Sequence, residues 1–266
     1  MHSTHPVYNW IQTLITDRGH CVCLGLDPDM RLLPDYYPQT LTGLQDFLFN
    51  AIDESLDHVI AYKPNIAFFE SMGIDGLRLL EACVTRIDHR LPVIMDAKRG
   101  DIGTTAYHQA KYIFDYWGAD ATTLHPYMGF DSLQPFFERT DQYQFVLALT
   151  SNPGRADFAQ QRLETGETLY ESVLNQCCLW HARYHNVGCV VGAQQAPLCR
   201  AKAANLLFLM PGVGHQGGAY HTAYQTGKNQ DALAIIPVSR ALLYPHATTQ
   251  TPGYLYMQLT QLIRNQ

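Results

Sequence analysis

One short segment of the sequence concentrates acidic and basic side chains directly after an apolar run. Asp96, Lys98 and Asp101 follow the residues Val93 to Met95. Side chains two residues apart in a strand point to the same face, so Asp96 and Lys98 are expected to lie side by side. A fixed ammonium group stabilises negative charge that develops beside it, because it need not reorient during the reaction. The segment is therefore a candidate catalytic centre.

Two more charged residues end other apolar runs of the chain. Asp27 ends the run that starts at Cys21, and Lys63 ends the run that starts at His58. An isolated Asp-x-Lys pair at a strand end is often only a solvated ion pair. Successive strand ends that supply Asp, Lys, Asp and Lys to one rim favour a functional site instead.

A glycine-rich turn supplies a candidate phosphate site. Residues 211–218 begin with Pro211 and include four glycines, whose backbone N–H groups can approach an anion because no side chain intervenes. Arg240 follows the last apolar run and adds a planar, permanently charged donor. Barrel enzymes frequently bind phosphate after their seventh and eighth strands, which is where these two features fall.

Short apolar runs rich in β-branched residues must position these groups. Eight of them recur along the chain: Cys21 to Asp27, His58 to Lys63, Pro92 to Lys98, Ala121 to Tyr127, Gln144 to Ser151, Val187 to Ala193, Asn205 to Gly212 and Leu233 to Ser239. Their continuous apolar character predicts parallel strands covered on both faces. Helical patterns lie between them, at Leu77 to Arg90, Thr104 to Trp117 and Thr168 to Asn186. Eight alternating units predict an α/β fold, a closed (β/α)₈ TIM barrel, with an open doubly wound sheet as the alternative.

Additional helices are expected at both ends of the chain. The first spans Pro6 to Arg18, and the last region, Ser239 to Arg264, is broken near Pro245 and Pro252. No internal repeat or low-complexity linker separates parts of the sequence, so residues 1–266 are predicted to form one domain. The polar stretch Gly154 to Gly166 is the longest candidate loop, placed where it could cover an active site.

The composition and charge of the sequence argue against several classes of protein. Of the 266 residues, 47% are hydrophobic and 16% charged, and the net charge is −6, which argues against disorder and against binding of a polynucleotide. No run approaches 18 apolar residues, and Met1 to Trp10 lacks the pattern of a secretory signal, so neither a membrane span nor secretion is expected. Seven cysteines without C-x-x-C spacing suggest free thiols in the cytoplasm.

The sequence resembles the orotidine 5′-phosphate decarboxylase family, especially its longer bacterial branch. The segment Asp96 to Ala106 resembles the D-x-K-x-x-D signature of that family. Five further blocks carry the likeness in order along nearly the whole chain: Gly25 to Pro28, Lys63 to Asn65, Thr150 to Gly154, Pro211 to Gly218, and Ser239-Arg240. Two departures are Thr104, where Ser is common, and His215, where Ala is common; neither removes a proposed catalytic group.

The resemblance implies a role for each catalytic group. Lys98 would stabilise a carbanion at C6 of the pyrimidine as carbon dioxide leaves, and would then protonate that carbon. Asp96 would face the substrate carboxylate, while Lys63 and Asp101 complete the charged array.

The resemblance also implies substrate contacts outside the charged array. Asp27 and Lys63 would bind ribose hydroxyls, with help from Thr105, and Ser151 would contact the pyrimidine. The implied phosphate grip comprises Gln216, Gly217, Gly218 and Arg240, in the block that Pro211 opens.

The implied reaction converts orotidine 5′-phosphate to uridine 5′-phosphate and carbon dioxide in pyrimidine biosynthesis, without a metal or other cofactor. The implied partner is a second copy of the chain in a twofold dimer, in which Asp101 and Thr105 complete the neighbour's site. A sugar-phosphate decarboxylase of the same suprafamily, which needs a metal, is an alternative that the Ser151 block and the long chain disfavour. A Schiff-base aldolase and a noncatalytic nucleotide-binding barrel are the other hypotheses.

Overall fold

Eight parallel strands form the centre of the fold in the computed structural model, which describes residues 5–213, 219–244 and 254–264. They are β1 (Val22–Leu26), β2 (Tyr62–Pro64), β3 (Ile94–Arg99), β4 (Ala121–Leu124), β5 (Tyr143–Leu149), β6 (Val187–Val191), β7 (Phe208–Leu209) and β8 (Ile236–Val238). Each lies in one of the predicted apolar runs or within one residue of it. The seventh run is shortened most, to two residues. The second run loses its first residues because they complete the turn after a helix: the Val59 amide donates to Ser55 O.

The strands close into a barrel. They pair in the orders β2-β1-β8 and β3-β4-β5-β6-β7. Isolated parallel bridges join the two groups, Tyr62 with Val93 on one side and Leu209 with Ile235 on the other. Closure at both seams confirms the predicted (β/α)₈ barrel over the open doubly wound sheet.

Helices surround the strands. They are α1 (Pro6–Arg18), α2 (Leu41–Ser55), α3 (Ile66–Glu70), α4 (Gly73–Ile87), α5 (Gly103–Lys111), α6 (Gln134–Phe137), α7 (Leu169–Tyr184), α8 (Ala196–Arg200), α9 (Tyr220–Gly227), α10 (Arg240–Leu243) and α11 (Tyr254–Arg264). The predicted bounds of α1 are confirmed, and α5 continues as a π-helical segment at Tyr112–Tyr116. None of the helices in the described ranges is long and apolar enough to cross a membrane.

The amino-terminal helix, α1, packs against the barrel and is hydrogen-bonded to it. Tyr8 on α1 donates a hydrogen bond to Asp231 Oδ2 at 2.7 Å and accepts one from Asn229 Nδ2 at 2.8 Å. Both partners belong to the turn that precedes β8. The apolar residues of α1, among them Ile11, are buried against the common core.

Parallel strands place all their carboxyl ends at one rim of the barrel. The longest loop at this rim runs from the end of β5 to Thr168, the capping residue of α7. It folds back on the first turn of α7, where the Leu169 amide donates to Gln161 O at 2.9 Å and the Tyr170 amide donates to Ala159 O at 2.9 Å. This loop contains the predicted stretch 154–166 and borders the rim where the charged residues lie.

Candidate active site

The charged residues predicted from the first three strands meet at this rim. Strand pairing sets Gly25 of β1 opposite Lys63 of β2, and a bridge sets Asn65 opposite Asp96 of β3. The ends of β1, β2 and β3 therefore lie side by side. Asp27 directly follows β1, so the structure brings together the carboxylates and ammonium groups that the sequence had placed at separate strand ends.

The Asp96 carboxylate lies between two ammonium groups. Its Oδ2 is 2.9 Å from Lys63 Nζ, and its Oδ1 is 2.6 Å from Lys98 Nζ. The side chains of Lys63 and Asp96 are 8% and 12% exposed, whereas that of Lys98 is 48% exposed. Lys98 is thus the ammonium group that a ligand entering the barrel mouth can reach. The predicted proximity of Asp96 and Lys98 is confirmed by their contact.

The charges in this group stabilise one another. Burial lowers the pKa of Lys63, but the negative charges of Asp96 and Asp27 outweigh this effect and raise that pKa above its ordinary value of 10.5. Burial raises the pKa of Asp96, but the two neighbouring ammonium groups lower it by a larger amount. The resulting pKa is far below the ordinary value of 3.8. Asp96 and Lys63 are therefore both charged at neutral pH.

The backbone at Lys98 departs from a regular strand. Its φ of 47° lies in the left-handed region, which side chains other than glycine rarely adopt. The Lys98 amide donates a hydrogen bond to Thr123 Oγ1 at 3.0 Å, and the same hydroxyl donates to Asp96 Oδ1 at 2.9 Å. Sequence reasoning missed Thr123. Its only signal was a pair of threonines inside the otherwise apolar fourth run.

Asp27 has an acceptor available for a ligand. Its Oδ1 is shielded from solvent and has no hydrogen-bond partner among the described residues. The loop after it is held by Tyr244 at the end of α10, whose hydroxyl accepts a hydrogen bond from the Asp29 amide at 2.9 Å. Beneath it, Gly25 packs so closely on Ser239 that a Cβ atom there would overlap the Ser239 hydroxyl. Glycine is required where β1 and the end of β8 approach this closely.

The ends of β5, β6 and β7 carry the candidate pyrimidine contact, Ser151, and the start of the glycine-rich turn. Ser151 follows β5 and packs against Gly192 at the end of β6. The next strand end is joined to this one, since the Ala193 amide donates to Pro211 O at 2.9 Å. Gly212 has a φ of 107°, a conformation that only glycine adopts readily. Ser151 and Pro211 therefore lie on adjoining parts of the rim.

Arg240 is the first residue of α10 and is exposed. None of the ion pairs within the described ranges includes it. It lies near the loop after β1, since β8 pairs with β1 and Tyr244 at the end of α10 is hydrogen-bonded to Asp29. A hydrogen bond from Arg31 lowers the pKa of Asp29, and the charge of Arg240 lowers it slightly more. The remaining predicted phosphate contacts lie outside the described residues: Gln216, Gly217 and Gly218.

Asp101 and Thr105 follow the charged group along the chain and are not bonded to it in the described residues. The Asp101 carboxylate accepts a hydrogen bond from the Ile102 amide at 2.8 Å, and Asp101 takes part in no ion pair of the described part of the chain. Thr105 is exposed in the first turn of α5. No hydrogen bond or ion pair within the described residues joins either of them to Lys98. Within the described ranges, no three His, Cys, Asp or Glu residues are grouped so that they could hold a metal ion.

Comparison with known proteins decides the family. Residues 21–245 match the sequence model of the orotidine 5′-phosphate decarboxylase / HUMPS family. The chain belongs to this family. The resemblance noted in the sequence is thereby confirmed. Asp96 and Lys98, which are in contact here, belong to the segment that resembles the D-x-K-x-x-D signature of the family.

Individual members of the decarboxylase family are similar over most of the chain. The orotidine 5′-phosphate decarboxylase of Herpetosiphon aurantiacus is 42% identical over 232 residues, covering 86% of both chains. That of Roseiflexus castenholzii is 44% identical over 229 residues, covering 84% of this chain and 83% of its own. The solved structure of Leishmania donovani OMP decarboxylase superimposes with a TM-score of 0.80 at 32% identity, covering 95% of this chain and 97% of that one.

Proposed function

We propose that this family member converts orotidine 5′-phosphate to uridine 5′-phosphate and carbon dioxide. The observation that carries the proposal is the Asp96 carboxylate held between the ammonium groups of Lys63 and Lys98 at the barrel mouth. A fixed, partly exposed ammonium group is what a decarboxylation needs, because the departing carbon dioxide leaves its bonding electron pair on carbon.

The reaction follows from the position of Lys98. The bond between C6 and the carboxylate breaks, and its electron pair stays on C6 beside the Lys98 ammonium group. Lys98 then gives a proton to C6, which forms uridine 5′-phosphate, and the neutral amine takes a proton from solvent. Asp96 faces the substrate carboxylate and holds Lys98 in place, with Lys63 and Asp101 completing the array. The protein needs no metal or cofactor for these steps.

The substrate contacts are distributed around the rim. Asp27 offers its Oδ1, which has no hydrogen-bond partner in the described part of the chain, to a ribose hydroxyl, with Lys63 beside it. Ser151 contacts the pyrimidine from the opposite side, where the rim continues to Pro211. The phosphate is bound by Arg240 together with the backbone and side chain of 216–218. Binding energy from the distant phosphate assists positioning of the reacting ring.

We also propose that two copies of the chain form a twofold dimer with shared sites. Asp101 and Thr105 make no hydrogen bond or ion pair with Lys98 within the described part of the chain, and they serve the neighbour's site. Exposed apolar side chains surround them on α5 and on the loop after β4: Ile102, Tyr107, Tyr127 and Met128. A second copy of this chain would cover these side chains and receive Asp101 and Thr105 at its own site.

The proposal extends to the setting in which the protein works. All seven cysteines are free, and six of them are buried, which suits a reducing compartment such as the cytoplasm. Residues 1–266 act as one domain, in keeping with the hydrogen bonds between α1 and the turn before β8.

The deciding experiment follows the loss of orotidine 5′-phosphate absorbance on addition of purified protein pretreated with a chelator. Appearance of uridine 5′-phosphate supports the proposal. Activity that returns only with a divalent metal, on a sugar phosphate and not on the nucleotide, favours the sugar-phosphate decarboxylase. Binding of uridine 5′-phosphate without turnover favours the noncatalytic nucleotide-binding barrel. Covalent trapping by borohydride with substrate would reveal a Schiff base at Lys98 or Lys63.

A further inference from the structure

One buried hydroxyl connects the two central groups of the site. Thr123 is 1% exposed in β4. Its Oγ1 donates its single proton to Asp96 Oδ1 at 2.9 Å and accepts a hydrogen bond from the Lys98 amide at 3.0 Å. Thr123 contacts the carboxylate of one residue and the backbone of the other, and it has no place in the proposed substrate contacts.

The pairing between β3 and β4 explains why this hydroxyl is needed. Met95 lies opposite Thr122, and Arg99 lies opposite Leu124, so the three residues 96–98 bulge against the single residue Thr123. A bulge removes backbone partners from the ladder. The Lys98 amide would lose its partner there, and the Thr123 hydroxyl replaces it.

The same hydroxyl orients the carboxylate from the strand side. Asp96 Oδ1 accepts hydrogen bonds from Thr123 Oγ1 and Lys98 Nζ, and Asp96 Oδ2 accepts one from Lys63 Nζ. The two ammonium groups sit on long, rotatable side chains, whereas the threonine has one side-chain torsion and stands on a packed strand. Thr123 is therefore the most rigid of the three donors to Asp96.

We infer that Thr123 is a positioning residue for the decarboxylation. It holds the left-handed backbone of Lys98 and the plane of the Asp96 carboxylate together, so that the Lys98 ammonium group is already placed before the substrate loses carbon dioxide. The inference rests on the proposed roles of Asp96 and Lys98.

The neighbouring residue supplies a matched control. Thr122 is also fully buried in β4, and its Oγ1 donates to Met95 O of β3 at 2.9 Å. Thr122→Val and Thr123→Val each replace one buried hydroxyl by a methyl group. Thr122→Val removes one hydrogen bond between β3 and β4, and Thr123→Val removes two between the same strands. Only the second removes a contact with Asp96 and Lys98.

The test compares kcat, KM and urea unfolding of the two variants with the wild type. Thr123→Val is expected to lower kcat about 10- to 100-fold, as for loss of a hydrogen bond to a charged group, with little change in KM. Thr122→Val is expected to lose less stability, because it removes one hydrogen bond rather than two, and to keep kcat within about threefold of the wild type. Thr123→Ser, which restores the hydroxyl, is expected to recover most of kcat.

Three results would overturn the inference: a wild-type kcat in Thr123→Val, an equal loss of kcat in Thr122→Val, or a serine variant as impaired as the valine variant. If Thr123→Val does not fold, Thr123→Ser and Thr123→Ala decide, because both lack the methyl group and only alanine lacks the hydroxyl. A wild-type protein without turnover would instead refute the proposed function.

Discussion

Lys63 Nζ lies 2.9 Å from Asp96 Oδ2, and both side chains are almost fully buried. Such a pair contributes little net stability relative to apolar residues of the same size, but removal of one partner leaves an uncompensated buried charge. The two partners differ in the counter-charge that each would keep if the other were removed. Asp96 retains Lys98 if Lys63 is removed, whereas Lys63 retains only the longer-range charge of Asp27 if Asp96 is removed.

The first prediction concerns Asp96→Asn at neutral pH. The substitution is expected to lower the free energy of unfolding by about 3 kcal/mol, because Lys63 stays buried without its closest counter-charge. Urea denaturation measures this change. Asp53→Asn is the control: it breaks a half-exposed ion pair with Arg86 and is expected to cost no more than about 1 kcal/mol. Equal losses in the two variants would contradict the assignment of a buried pair.

The pH dependence of this stabilisation has a definite sign. The pKa of Asp96 in the folded protein lies below its ordinary value of 3.8, so its stabilisation is complete above that pH and is lost as the pH falls through the folded value. The pKa of Lys63 lies above 10.5, so its stabilisation is complete below that pH and is lost as the pH rises through the folded value. The stability difference between wild type and Asp96→Asn should thus be constant from about pH 5 to 9 and shrink in stronger acid. A difference that grows below pH 4 would be inconsistent with this linkage.

Lys98→Ala tests the proposed carbanion stabilisation. Loss of the ammonium group is expected to raise the barrier to turnover by at least about 3–4 kcal/mol, measured as the ratio of kcat/KM values. Lys202→Ala is a suitable control, since its side chain is 49% exposed against 48% for Lys98, and it pairs with Glu171 on α7. Near-normal turnover by a folded Lys98→Ala protein would remove Lys98 from the mechanism.

Arg240→Ala tests the phosphate contact. The variant is expected to bind uridine 5′-phosphate much more weakly while its weak binding of uridine changes little, because only the nucleotide carries the phosphate partner. Calorimetric titration with both ligands gives the comparison. Arg78→Ala removes an exposed arginine of α4 that pairs with Asp75 and should alter neither affinity. Equal weakening of nucleotide and nucleoside would mean that the phosphate is bound elsewhere.

Much of the barrel could be predicted because its signals are local. Continuous apolar runs identified all eight strands, and the first helix, predicted over Pro6 to Arg18, is α1 with its observed bounds. The proximity of Asp96 and Lys98 also followed from a local rule, the period of two residues in a strand. The side chains of both residues do meet.

The geometry that brings them together could not be predicted from the same rule. Lys98 has a positive φ and lies in a bulge, and the bulge exists because β3 and β4 change register between Met95 and Arg99. Register between strands about 25 residues apart in sequence depends on tertiary packing rather than on local periodicity. Thr123 owes its place in the site to this register, which is why its sequence context alone gave no role for it.

The last prediction concerns the shared site of the proposed dimer. Lys98→Ala and Asp101→Ala are each expected to be nearly inactive alone, since each removes one group from every site. In a heterodimer of the two, one site receives both defects and the other receives neither, because Asp101 acts across the interface. Unfolding and refolding of an equal mixture gives half heterodimers by random pairing. About a quarter of wild-type activity should therefore return.

A second mixture separates this arrangement from nonspecific recovery. Lys98 and Asp96 are in contact within one chain, so a heterodimer of Lys98→Ala and Asp96→Asn has one defect in each site and should recover no activity. Native mass spectrometry confirms heterodimers in both mixtures. If neither mixture recovers although heterodimers form, Asp101 serves its own chain. The Asp101 carboxylate, which among the described contacts accepts a hydrogen bond only from the Ile102 amide, would then have to bond to Lys98 of the same chain when substrate binds.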